Sequence, residues 1–332
     1  MATIIAGFGF PHTPQLSSSP DHWRDHALRD QQNRTLLGLD GEIHTYDELL
    51  QQVGKRFENA NTEEAWWQAY ERAQRDVGAI AEEYSNVSER ADIVVVIGGD
   101  LHELFLNLGT PALALYLGDT LLDFPLPAEE LERTPSGIKA AMWARHSEEI
   151  RAYPADPSLS QFLLEELSHD NFDVMQFSVQ PTGRPLGHSF SFVPLRLGGR
   201  SSIRMVPLFI NTYFPPNQPS PSRCLDLGRS LRKAIEAWPE SAKVIIIASG
   251  GLSHFVINED LDLRLLTALR DHDLESLGRI SLDELRGGSG EILSWIVAGA
   301  ALENLSMEIV DYVPSYRSAA GTGVGMGFAH WV

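Results

Sequence analysis

Residues 91–99 read ADIVVVIGG, and residues 243–251 read KVIIIASGG. Each has a charged residue near its start, then an unbroken apolar, mostly β-branched run that stops at a pair of glycines. A strand with one wet face alternates apolar with polar residues; these two do not, so both of their faces must be covered. Similar runs occupy 3–9, 112–118, 173–179 and 203–210. Amphipathic helical patterns fall between them at 44–57, 62–84, 158–169, 222–238, 260–271 and 290–305. The first of these opens on Thr45-x-x-Glu48, the spacing of a capping box. Strand and helix in alternation predict an α/β fold, with a central, mostly parallel or mixed sheet flanked by helices and a site at the carboxyl ends of the strands.

No repeat or low-complexity tract interrupts this order. The proline-rich stretch YFPPNQPSPS (213–222) is short enough to be a strand-to-helix connection. Residues 1–332 are therefore expected to form one catalytic domain. The 45 acidic residues exceed the 26 Lys and Arg, for a net charge of −19. That balance argues against nucleic acid and anionic membranes as partners. Cys224 is the only cysteine and lies in a helical pattern, so no disulfide framework exists. Neither a charged-then-apolar leader nor an apolar run of about 18 residues is found, so a soluble, cytoplasmic protein is expected.

Three of the strand-like runs end alike, in glycine or proline followed by histidine. IIAGFGFPHTP (4–14) gives His12, held between Pro11 and Pro14, which stiffen the loop. VVVIGGDLHELF (94–105) gives His102, with Asp100 and Glu103 beside it. VIIIASGGLSHF (244–255) gives His254. A fourth histidine, His188, stands in PTGRPLGHSFSFVPL (181–195). One histidine at a strand end is most often a packing or surface residue; three at equivalent positions point to a site. The remaining seven lie mostly in polar helical or loop contexts. Glu291 opens the apolar helical segment GEILSWIVAGAALENL (290–305). The helix dipole alone would favour an acid there, but a glutamate buried with such a helix must be paired or bind a metal. Two imidazoles and a carboxylate make the facial triad of non-haem Fe(II) oxygenases, and zinc with the same ligands is the competing chemistry.

Taken together, GFPHTP, VVVIGGDLHELF, PLFINTYFPPNQPSPSRCLDLGRSLRKAIEAWP, VIIIASGGLSHF and GSGEILSWIVAGAAL resemble, in order and over nearly the whole chain, the class III extradiol ring-cleavage dioxygenases of the protocatechuate 4,5-dioxygenase catalytic-subunit type. LLGLDGEIHTYDELLQQ (36–52) and SYRSAAGTGVGMGFAHW (315–331) are most similar to the gallate and 3-O-methylgallate branch. The resemblance implies Fe(II) held by His12, His102 and Glu291, with Asp100 as the alternative to His102. It implies His254 as the acid/base and His188 as a further active-site histidine. Thr13, Tyr213 and Arg317 are expected at the substrate, Arg317 gripping a carboxylate or else forming a surface salt bridge. The substrates would be a catecholic acid and O₂, and the product a hydroxymuconic semialdehyde or related ring-opened acid. Trp66-Trp67 suggests a homodimer, and the family also admits a small accessory subunit. The rival readings are a zinc-dependent hydrolase and a non-catalytic protein of the Memo type on the same scaffold. Ser253, in GGLSHF, lacks the G-x-S-x-G setting of a nucleophile elbow.

Overall fold

The computed structural model describes residues 1–106 and 108–332. In chain order its main strands are β1 (Thr3–Phe10), β2 (Ile93–Gly98), β3 (Leu113–Tyr116), β4 (Met175–Phe177), β5 (Arg204–Ile210), β6 (Lys243–Ser249), β7 (Met307–Tyr316) and β8 (Gly323–Trp331). They form one sheet in the order β7-β8-β1-β6-β2-β5-β3-β4. β1, β6, β2 and β5 run parallel to one another. β8 joins β1, and β3 joins β5, in the antiparallel sense. This is the α/β class with a mixed central sheet that the patterning predicts.

The two continuous apolar runs are β2 and β6, at the centre of the sheet. Ile93, Val95, Ile97, Val244, Ile246 and Ala248 enter one core cluster, while Val94, Val96, Ile245 and Ile247 enter the other. The helices Pro157–His169, Pro221–Ala237, Glu259–Arg270 and Ile292–Ala301 cover the first face, and the long helix Glu63–Ser88 covers the second. Thr45 and Glu48 make the expected capping box at the start of Tyr46–Val53. No helix among the described residues is long and apolar enough to cross a membrane.

Glycines on β1 decide how closely the apolar helix Ile292–Ala301 can approach. A Cβ on Gly9 would lie 2.4 Å from the Trp295 ring, and one on Gly7 would lie 2.1 Å from Leu302 Cδ1. The Trp295 indole N–H in turn donates to the Gly250 carbonyl at 2.9 Å. The GFGF alternation thus seats an indole where a side chain would otherwise stand. Gly9→Val is expected to destabilise the fold by about 3 kcal/mol through overpacking; a urea midpoint equal to that of wild type would refute this packing account.

Two strands escape sequence patterning. Pro314 interrupts β7, and Gly323, Gly325 and Gly327 punctuate β8, so the hairpin reads as loop. The glycines are there for space: a Cβ on Gly325 would strike Asp262 Oδ2 at 2.0 Å. The expected tryptophan surface also changes. Trp66 is buried, its ring centroid 6.3 Å from that of Trp23, and of the pair it is Trp67 that is exposed.

Candidate active site

Because β1, β6, β2 and β5 are parallel, the loops after their carboxyl ends gather on one side of the sheet. There His12, His188, His254 and Glu291 line a single cavity of about 380 Å³. His12 follows β1, His254 follows β6, and Glu291 precedes the helix Ile292–Ala301. His188 opens the short helix His188–Phe192.

Each imidazole has its Nδ1 tied to the scaffold. His12 Nδ1 is 3.0 Å from Ser249 Oγ, and its ring meets that of His188 edge-on at 4.5 Å between centroids. His254 Nδ1 donates to the Leu252 carbonyl at 2.8 Å, which leaves its Nε2 as the lone-pair nitrogen. His188 Nδ1 lies 2.6 Å from Glu103 Oε2 and 3.0 Å from Arg145, an acceptor and a donor facing the same nitrogen. Glu291 accepts the Gly251 N–H on Oε2 at 2.6 Å. Its other oxygen, Oε1, stands 3.3 Å from His12 Nε2 and 3.8 Å from His254 Nε2. Burial alone would raise the Glu291 carboxyl, but the neighbouring His12, a protonated His254 and the Gly251 N–H act to bring it down to about 2. Burial lowers His254 and takes His188 to about 4, so both rings are neutral, proton-accepting bases at neutral pH.

The loop after β2 departs from expectation. Leu101 and Glu103 line the cavity, and His102 between them does not. Leu101 and His102 both adopt left-handed backbone, φ 46° and 59°. This sends the exposed His102 ring outward to stack on Phe214 at 3.7 Å, with Nε2 3.4 Å from Thr110 Oγ1. Asp100, the alternative, is spent on the N–H groups of Leu104 and Phe105 at 2.7 and 3.2 Å. Glu103 enters instead, accepting from Arg145 at 2.6 Å and from the His188 backbone N–H at 2.7 Å. Burial would push its carboxyl up; His188 and Arg145 hold it well below the ordinary range.

For Fe(II), therefore, two of the three expected ligands converge and the third does not. His12 Nε2 and Glu291 Oε1 are placed to share an ion, but the triad that includes His102 does not fit this structure. Among the described residues no group of three or more His, Cys, Asp or Glu side chains is arranged to hold a metal. His102→Ala is accordingly expected to leave turnover and metal content within about threefold of wild type, as for surface substitutions generally. Loss of both in that variant would return His102 to the ligand set.

The other expected residues fall as follows. Tyr213 lines the cavity. Thr13 lines it too, although its hydroxyl also caps the turn at Pro14–Ser17 by accepting from Gln15 N–H at 3.4 Å. Arg317 is buried and fully engaged, donating to both oxygens of Asp30 at 2.7 and 3.0 Å and to Gln15 Oε1 at 2.9 Å. The carboxylate it grips is internal, so no surface bridge forms, and Arg317 lines the cavity with its guanidinium held by Asp30 and Gln15. Glu103 could have been noticed beside His102, whereas Arg145, in the unpatterned stretch MWARHSEEI, carries no sequence signal.

Behind His254 lies a second buried carboxylate. Asp262 accepts from Ser253 N–H at 2.8 Å, Ser253 Oγ at 2.7 Å and Tyr312 Oη at 2.7 Å. Ser253 thus points its hydroxyl away from His254, which disposes of it as a nucleophile. Burial outweighs these three donors and raises Asp262 to about 7. Since the folded pKa lies above the unfolded value, the associated stability is complete below about pH 4 and is lost as pH rises towards 7 and beyond, on the order of 3–4 kcal/mol. Asp262→Asn should flatten that loss; urea unfolding of both forms at pH 5 and 8 checks it, and parallel slopes would count against it.

Residues 147–327 match the family model of the catalytic LigB subunit of aromatic ring-opening dioxygenase. The matched segment includes His188, His254 and Glu291 and begins after His12 and His102. Over 182 residues the chain is 33% identical to gallate dioxygenase of Pseudomonas putida, an alignment covering 50% of this chain and 51% of that enzyme.

Proposed function

The chain belongs to the family of catalytic LigB subunits of aromatic ring-opening dioxygenases, and from that premise we propose that it opens the ring of a catecholic acid with O₂. The substrate class is that of gallate, 3-O-methylgallate or protocatechuate. One O₂ is consumed for each ring, the ring C–C bond next to the hydroxyl pair breaks, one oxygen atom ends on the hydroxyl-bearing carbon and the other on its neighbour, and the ring supplies all the electrons. A hydroxymuconic semialdehyde or related acid results, and residues 1–332 serve as one catalytic domain.

The observation that carries this reading is the convergence of His254 Nε2 and His12 Nε2 on Glu291 Oε1 inside one cavity. In the proposed reaction His254 Nε2 takes a phenolic proton, because its Nδ1 is committed to Leu252 and its ring is neutral. Gly288 fixes that ring, since a Cβ there would meet His254 Cδ2 at 2.0 Å. Glu291 stays ionised and stabilises the imidazolium that forms. His188, oriented by Glu103, offers a second Nε2 to substrate or oxygen. Tyr213 forms part of the wall around the ring. Fe(II) is the first metal to test; His12 and Glu291 are its candidate ligands, and no step here depends on a third.

The test is a panel of gallate, 3-O-methylgallate and protocatechuate given to protein loaded with Fe(II) or Zn²⁺ under anaerobic conditions, then exposed to O₂. Ring opening that requires both iron and O₂ supports the proposal. Ester hydrolysis by the zinc form alone would support the hydrolase, and metal binding with no turnover of any kind would support the Memo-type reading.

A further inference from the structure

Three arginines line the cavity, and one of them lacks an acidic partner. Arg145 is paired with Glu103 at 2.6 Å and Arg317 with Asp30 at 2.7 Å. Arg29, an exposed residue in the last turn of the helix Trp23–Gln32, also lines the cavity and makes no ion pair or side-chain hydrogen bond among the described residues. A basic residue at that place in a helix has an ordinary role, complementing the dipole. Here, however, it stands on a cavity wall beside two other cations, and the nearest acid in sequence, Asp30, is already bidentate to Arg317. Buried His26, on the same wall, is held down at about 3 by burial and by Arg317 and Arg29, so it is neutral and adds no further positive charge. Partial burial and Arg317 also depress Arg29 itself. Asp30, Glu103 and Glu291 equal the three guanidiniums in number, but they are committed to Arg317, to Arg145 and to the histidines, so Arg29 alone has no carboxylate at contact distance among the described residues.

We propose that Arg29 binds the carboxylate of the aromatic substrate and is the residue that selects carboxylated rings over neutral ones. The inference rests on the function proposed above. It gives the cavity two chemically distinct parts: His12, His254 and Glu291 for the hydroxyls, and Arg29 for the acid group. A guanidinium meeting a carboxylate offers a charge-assisted, bidentate contact that an amide cannot match.

The experiment uses 4-hydroxybenzoate and 4-hydroxybenzamide, which share a shape, differ in charge, and carry only one hydroxyl. Their affinities for the full chain are measured by calorimetry with wild type, Arg29→Met and Arg29→Lys. Wild type should bind the carboxylate at least about tenfold more tightly than the amide, a typical effect of a charged hydrogen bond. Arg29→Met should erase that preference while changing amide affinity less than about twofold, and Arg29→Lys should keep part of it. A preference that survives Arg29→Met, or equal weakening of both ligands, would overturn the assignment. A protein that prefers the carboxylate through Arg29 yet consumes no O₂ with catecholic acids would sink the dioxygenase reading and leave this one standing.

Discussion

Glu291→Gln is expected to lower ring-opening turnover by at least about 10³-fold, the scale seen when a group that acts with its neighbours as a unit is removed. Glu291 Oε1 is the one atom that approaches both His12 Nε2 and His254 Nε2, at 3.3 and 3.8 Å. Glutamine keeps the shape and can still accept the Gly251 N–H, but it loses the charge that stabilises a protonated imidazole. Glu291→Ala should go further, since it also leaves the buried Gly251 N–H without its 2.6 Å acceptor. An orphaned buried donor costs about 1–3 kcal/mol. The two variants therefore separate chemistry from stability: both are inactive, and only the alanine form unfolds at a clearly lower urea midpoint. A glutamine variant with wild-type turnover would remove Glu291 from the chemistry.

The second large effect is at His254. His254→Phe should cost about 10²–10⁴-fold in kcat, the usual worth of a positioned general base. Its KM should change much less, because Arg29 and the cavity walls still hold the substrate. Bound metal should be retained, since His12 and Glu291 are intact. If His254→Phe turns over normally, the proton is handled elsewhere, with His188 the next candidate.

The sequence was most informative where geometry follows from local chain chemistry. Continuous β-branched runs can only be doubly covered strands, and residues just past parallel strand ends must gather on one side. His12 and His254 follow from that reasoning, as does their meeting with His188 and with a glutamate at the start of an apolar helix. Where a side chain's direction depends on its loop, the reasoning ran out. His102 sits one residue from Leu101 and Glu103, and two consecutive left-handed residues turn it onto Phe214 while its neighbours enter the cavity. Arg317 was equally illegible, because its partner Asp30 is 287 residues away and no local pattern links them. The β7–β8 hairpin was hidden by glycines whose purpose, room for Asp262 and Leu252, exists only in the packed structure.

These corrections sharpen the chemistry. The loop after β2 contributes Glu103, which orients His188, in place of the imidazole ligand expected there. The arginine expected at the substrate lines the cavity with its guanidinium paired to Asp30, and another, Arg29, lines it with no ion pair among the described residues.

Oxygen uptake during turnover decides whether this cavity opens an aromatic ring with O₂. With Fe(II)-loaded protein and gallate, 3-O-methylgallate or protocatechuate, at least one substrate should be consumed with one O₂ per ring and loss of the aromatic absorbance. No O₂ uptake with any of the three, by protein shown to be folded and iron-loaded, would contradict it.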